Sequence, residues 1–420
     1  MAAADIKMPE EANANGHPLP DHWKRTIAII WTGQAVSVFA TIAATFAVIW
    51  YITVTVDSAL MLSAAGIAAL LPTALLSPLG GVAADRFNKK HLMIAADGIA
   101  GLFSLVLAVL ALMGRIDMGM LLALLVARSA AQAFHGTSLM ALMPELVPEK
   151  DMVRINTLDQ TLTSGAAIGG PVLGIALYNL WGFSAVLLID AACAAIACLC
   201  LAVVALPYSK STAPAHKGVV EDLREGMAAI KRERGVVPLL AMAMAAMLLF
   251  MPLGTLGPLL TYDWFGGDGL AASVVEAVAG IGLLLGSMVM FAWGGGKRLV
   301  PVLSISSAIV GASCIASGLL PSNAFAVFVI LVGIMFAATG AFNAPIIPLM
   351  QKRIPPECFG RAMGLFGSLT TLATPIGLFI AGPAAEAFGV RTWFVACGIA
   401  LVVAMVVFSS SRSLRSLDGS

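Results

Sequence analysis

Apolar runs of ~20 residues or more recur from Thr26 to Ser409, and this repetition constrains the fold more than any other feature. A helix of about that length crosses ~30 Å of hydrocarbon with every backbone polar group bonded internally. The expected spans are Thr26–Val56, Ala59–Ala84, Leu92–Gly114, Met118–Met143, Ile155–Trp181 and Phe183–Pro207, then Val236–Tyr262, Leu270–Trp293, Leu299–Leu320, Ala324–Met350, Ala362–Phe388 and Thr392–Ser409. Hydrophobic residues fill 60% of the 420 positions and charged ones 11%, against about 25% charged in soluble domains, so a water-soluble fold is excluded.

The halves resemble one another at a shift of about 207 residues. Leu142-Met143 matches Leu349-Met350, Val147-Pro148 matches Ile354-Pro355, and Arg154, Leu158, Thr163, Gly170 and Gly182 match Arg361, Leu365, Thr370, Gly377 and Gly389. A parallel repeat of this kind predicts two six-helix bundles, 26–207 and 236–410, that rock about a central site. The expected fold is therefore an all-α membrane protein of twelve transmembrane helices.

Basic residues stay on the cytoplasmic side of short loops during insertion. Lys24, Arg25, Arg86, Lys89, Lys90, Lys150, Arg154, Lys297, Arg298, Lys352, Arg353, Arg412 and Arg415 fall on one side of the spans, Arg115 and Arg391 on the other. Both termini are thus expected in the cytoplasm of a cell-membrane protein. Residues 1–25, acidic and proline-bearing, lack signal-peptide character and read as a disordered cytoplasmic tail, and 411–420 as a cytoplasmic C-terminal tail. Residues 208–235 form a charged linker, in which Val220, Leu223, Met227 and Ile230 mark either an amphipathic surface helix or a solvated tether. The six cysteines show no disulfide or metal spacing. No cofactor, metal or nucleic-acid partner is expected, and the chain reads as a monomer in the lipid bilayer.

Between the second and third spans stands Gly81-Val82-Ala83-Ala84-Asp85-Arg86-Phe87-Asn88-Lys89-Lys90. Gly81 suits close helix approach, and Asp85 suits the positive N-terminus of a neighbouring helix. These residues resemble the loop of the major facilitator superfamily, except that Asn88 stands where that family usually has glycine. The resemblance implies that Asp85, with Gly81, Arg86, Lys89 and Lys90, closes a cytoplasmic gate against the start of the eleventh helix near Gly360 and Arg361.

The fifth span carries Gly165, Gly169, Gly170, Pro171 and Gly174, a helix-packing seam. It resembles the antiporter motif of drug/proton exchangers, with Ile175 in place of its last glycine. Further stretches, Trp31 to Ser37, Ala95-Ala96-Asp97, Arg128-Ser129, Ala133-Phe134-His135, Pro144 to Glu149 and Ile189-Asp190, are similar to the macrolide-efflux branch. Siderophore exporters of that branch share them. In the seventh span Pro252, Gly254, Gly257 and Pro258 are expected to break the helix into a hinge.

Ionisable groups inside spans are costly and need a reason. Arg128 lies near mid-membrane, with Gln132 and His135 at i+4 and i+7, and this face is expected to line the central cavity; a buried ion pair is the alternative. Asp97 and Asp190 are candidate proton carriers, the alternatives being pairing with the loop cations for Asp97 and a helix-start cap for Asp190. Glu276 is the second-half candidate and Gln34 a further cavity residue, whereas Asp263, Asp268 and Glu386 read as solvated helix ends. No phosphate-binding Gly-Lys-Ser/Thr loop occurs, so energy must come from an ion gradient. The expected function is export of amphipathic, macrolide-type molecules by proton antiport. Siderophore, metabolite or lysolipid export, Na⁺ coupling and a polytopic membrane enzyme remain as alternatives.

Overall fold

A computed structural model of the chain describes residues 23–148, 151–204, 235–294 and 298–415, with 224, 227, 228 and 230–233 from the intervening segment. In chain order the helices are α1 (Trp23–Val56), α2 (Ala59–Arg86), α3 (Lys89–Leu112), α4 (Met118–Leu146), α5 (Met152–Trp181), α6 (Phe183–Val203), α7 (Val236–Asp263), α8 (Gly269–Trp293), α9 (Val300–Leu319), α10 (Phe325–Asn343), α11 (Ile346–Gln351), α12 (Pro356–Phe388), α13 (Val390–Ser410) and α14 (Arg412–Arg415). Twelve spans are long and apolar enough to cross a membrane, with α10 and α11 together making the tenth. The chain is a multi-pass membrane protein. Large side chains such as Phe291, 92% exposed, point outward as only a lipid-facing residue can without penalty.

The tight links turn on backbone conformation. Gly182 and Gly389, matched by the repeat, adopt φ +82° and +87°, where a side chain would be strained, and each leads directly into the next helix. Asp57 makes the equivalent turn at φ +51° without being glycine. Two expectations at the chain's polar segments change. Ile230 is buried, and Met227 packs against the same core of the second half, so these two residues cover protein rather than membrane surface, while Val220 and Leu223 lie outside the described residues. Leu414, expected in the cytoplasmic C-terminal tail, is fully buried in the same core. Residues 1–22, 205–223 and 416–420 lie outside the described ones.

α1–α6 pack together, as do α7–α14, and the halves meet mainly through α2 with α12 and α5 with α8. That contact runs from the end opposite the termini to mid-span, where a Cβ on Gly280 of α8 would press on Ile168 of α5. At the end bearing the chain termini, one apolar cluster around Ile30, Met93 and Leu146 belongs wholly to the first half, and another around Val236, Met350 and Leu414 wholly to the second. At the opposite end one cluster joins Leu62 and Ala65 to Leu256, Leu259 and Ala381, another joins Trp50 and Ile175 to Ala272, and Trp50 meets Tyr262 edge-on at 6.0 Å. The molecule is therefore sealed opposite the termini and parted toward them.

Candidate functional site

Arg128 is turned into the first half. Its Nη1 lies 2.7 Å from Asp190 Oδ2 and donates to Ser104 Oγ at 2.8 Å, while Nη2 donates to Asp190 Oδ1 at 3.2 Å. Ser104 Oγ donates to Asp190 Oδ2 at 2.6 Å and Thr41 Oγ1 to Oδ1 at 3.2 Å, so α1, α3 and α4 all converge on one carboxylate of α6. Such a pair is tolerable in hydrocarbon because each charge has both a counter-charge and hydrogen bonds. Of the two expectations for Arg128, the buried ion pair is the one seen; its side chain is only 16% exposed. Asp190 lies seven residues past Phe183 and Gly182 is the N-cap of α6, so the cap reading of Asp190 is overturned.

Asp97 meets His135, with Oδ1 and Nδ1 2.8 Å apart between α3 and α4 and both side chains buried. It does not pair with the loop cations. His135, Gln132 and Arg128 consequently do not share one environment: the first two of these face Asp97 and open space respectively, and Arg128 faces Asp190. Gln34, expected in the cavity, is buried, and its Nε2, Trp31 Nε1, Ser138 Oγ and Asp97 Oδ2 have no hydrogen-bond partner among the described residues. Buried polar atoms of this kind are ordinarily met by internal water.

At the termini end, Asn88 N-caps α3, its Oδ1 accepting from Lys90 N at 3.0 Å and His91 N at 3.4 Å. Glycine cannot provide that side-chain cap. Lys89 is buried against Glu145 of α4 at 2.9 Å. Lys90 Nζ donates to the carbonyls of Ala202 and Val204 at 2.9 and 2.7 Å, closing the C-terminus of α6. Asp85 and Arg86 are exposed, and Asp85 has no polar partner among the described residues. The side chain of Arg361 and Gly360 lie outside those described. The close approach expected of Gly81 belongs to its neighbour: a Cβ on Gly81 would meet nothing within 4 Å, whereas one on Gly80 would meet Thr137 and the Ala133 carbonyl at 2.6 and 2.8 Å.

The fifth-span seam packs on α1. A Cβ on Gly169 would press on Phe39 at 3.2 Å, one on Gly170 on Ile42 at 2.6 Å, and one on Gly174 on the Ala43 carbonyl; Gly165 is in looser contact, and Pro171 is buried. Gly377, the repeat-mate of Gly170, seats α12 on Leu248 and Pro252 of α7 in the same way. The sequence from residue 30 to residue 378 matches the Major Facilitator Superfamily model. The chain belongs to the major facilitator superfamily.

As a member of that superfamily it is a membrane transporter of small molecules, and the membrane-enzyme alternative falls. Over 399 residues it is 32% identical to macrolide efflux protein A of Streptococcus pyogenes, covering 95% of this chain and 98% of that one. Over 382 residues it is 26% identical to multidrug efflux pump Tap of Mycolicibacterium fortuitum, covering 86% and 89%. A solved bacterial homologue of the human lysosomal transporter Spinster, inward-facing and unoccupied, superimposes with a TM-score of 0.73 at 16% identity over 95% of this chain and 99% of that one, which shows the shared fold.

Other candidate residues of this superfamily member sit differently from expectation. Pro252 and Pro258 do not break the seventh span, since α7 runs unbroken from Val236 to Asp263. A single missing N–H is tolerated inside a membrane helix, where neighbours re-satisfy the freed carbonyl. Gly254 and Gly257 have open space at their Cβ positions and line a cavity of about 20 Å³ with Glu276, Phe328, Phe336 and Phe394. Asp268 caps α8 by accepting from Ala271 N at 3.0 Å, and Glu386 accepts from Ser58 Oγ at 3.1 Å and Leu60 N at 3.0 Å across the sealed end rather than being merely solvated, whereas Asp263 is exposed at the end of α7. Thr41, Ser104 and Glu145 were not singled out as partners by sequence. Glu145 stands in a quoted motif, but the two hydroxyl residues carry no signal that separates them from the helix-packing serines and threonines of any span.

Proposed function

We propose that this transporter exports amphipathic, macrolide-type molecules across the cell membrane by proton antiport, working as a monomer with both termini in the cytoplasm. The observation that carries the proposal is the Arg128–Asp190 pair with Ser104 and Thr41, a charged, hydrogen-bonded network inside the first bundle near mid-membrane. In this reading Asp190 carries the proton. Arg128 holds the deprotonated carboxylate when the proton leaves, and the two hydroxyls keep both forms hydrogen-bonded. Asp97–His135 and Glu276 are secondary candidates for proton passage. The substrate class rests on the efflux relatives, and the cytoplasmic side on the lysine and arginine bias of the short loops. The parted end then opens to the cytoplasm, where an exporter loads.

Purified protein in liposomes with an acidic lumen tests the reading. Labelled macrolide should accumulate inside, collapse of the pH gradient by an ionophore should stop it, and Asp190→Asn should accumulate none. Accumulation that ignores the gradient would overturn proton antiport.

A further inference from the structure

Four helices of the second half, α7, α8, α10 and α13, carry a single basic residue between them, Arg391. Its charge is engaged elsewhere: the guanidinium lies 3.5 Å from the ring centre of Trp264 and donates to the carbonyls of Gly318 and Leu320 at 3.2 and 3.4 Å. Glu276 of α8 stands among these helices, about 10 Å along from Gly269. Among the described residues it has neither a hydrogen-bond partner nor a counter-charge. An ionised carboxylate is costly alone at that depth, so it holds a proton or takes a cation from outside the chain.

What surrounds Glu276 is more than a proton needs. With Gly254, Gly257, Phe328, Phe336 and Phe394 it lines a cavity of about 20 Å³, which admits one water-sized group. On the α7 side both glycines leave open space where a Cβ would stand, and Gly254 is exposed, which gives the cavity its mouth. Pro258 has no N–H for the carbonyl of Gly254, four residues earlier, so the helix leaves an acceptor at the same wall. Aromatic rings close the rest. Phe328 stacks on Phe265 at 4.8 Å toward the sealed end, and Phe336 meets Phe250 edge-on at 5.2 Å toward the middle of α7.

We propose that this cavity is a binding site for the ammonium head of an amphipathic primary amine. Such a head is about the size of a water molecule, and its three N–H donors match the acceptors present, the two oxygens of Glu276 and the freed carbonyl of Gly254. The rings of Phe328, Phe336 and Phe394 attract the positive charge. The apolar remainder of the ligand leaves past Gly254 and along Met251, one turn away and exposed. Each methyl added to the nitrogen removes a donor and needs room that the cavity lacks, so the site discriminates against quaternary ammonium groups. That the bound amine is cargo rests on the export reading; that it binds does not.

Purified protein and tritiated phenylbutylamine, which is protonated at neutral pH as a lysine side chain is, test the site by scintillation proximity. Binding should saturate, and unlabelled phenylbutylamine should displace the label at a roughly tenfold lower concentration than its trimethylammonium derivative does. Glu276→Gln, which removes the counter-charge, should weaken binding roughly tenfold or more. Gly254→Ala puts a methyl into the open space at the mouth and should weaken binding as well; that methyl meets nothing within 4 Å, so this variant serves if Glu276→Gln fails to fold. Absence of saturable binding, equal displacement by the trimethylammonium derivative, or full affinity kept by both variants would overturn the site. The measurement needs no gradient, so a failure of proton antiport leaves it standing, and a failure of the site leaves macrolide export untouched.

Discussion

Arg128 shows how far one residue can be read alone. The cost of a guanidinium ~16 Å into a span announces that it must have a partner. Which partner is set by how α3, α4 and α6 pack, and nothing in the linear spacing of Ser104, Arg128 and Asp190 encodes it; the helix-start position of Asp190 even suggested a cap. The same holds for Asp97, whose nearest cations in sequence, Lys89 and Lys90, are already engaged by Glu145 and by the α6 carbonyls. If the Arg128–Asp190 pair is a mutually dependent unit, Asp190→Asn and Arg128→Gln should each destabilise by ~3–5 kcal/mol by leaving one charge buried and unpaired. The double variant should recover most of that loss. Chemical unfolding in detergent measures the cycle, and additive single effects would show that the two charges do not depend on one another.

Elements were more legible than residues because lipid imposes their length. Observed and expected spans differ by a few residues at most ends, and the departures have local causes: Asn88 starts α3 earlier by capping it, and the tenth span divides into α10 and α11 around Pro345. Glycine roles were harder, since close approach depends on which face meets a neighbour. Gly174 and Gly81 make the contrast testable. In Gly174→Ala the new methyl meets the Ala43 carbonyl and forces α5 off α1, an overpacking cost of ~1–3 kcal/mol. Gly81→Ala adds a methyl in open space and should be neutral or slightly stabilising by helix propensity. Thermal unfolding distinguishes them; equal loss in both would mean that α2 is packed at Gly81 after all. Reduced transport by a fully stable Gly81→Ala would instead place that glycine in a state where α2 nears the second half.

At the scale of the whole molecule the repeat was visible in sequence, whereas the conformation was not, because every alternating state shares the same residues. The structure supplies the missing asymmetry: joint clusters at one end, separate clusters at the other. If the halves move as rigid bodies about the central site, opening one end must close the other. Label pairs Val82→Cys with Gly364→Cys at the parted end, and Met113→Cys with Leu319→Cys at the sealed end, should therefore change in opposite senses whenever a transported ligand shifts the population. Gly364 accepts a side chain freely, a Cβ there meeting nothing within 4 Å. A third pair inside the first half, Val82→Cys with Met140→Cys, should hold its distance throughout. Should that internal distance change as much as the others, the bundle itself deforms, and the contacts of Gly170 on α1 and of Gly377 on α7 are not the rigid seams on which rocking depends.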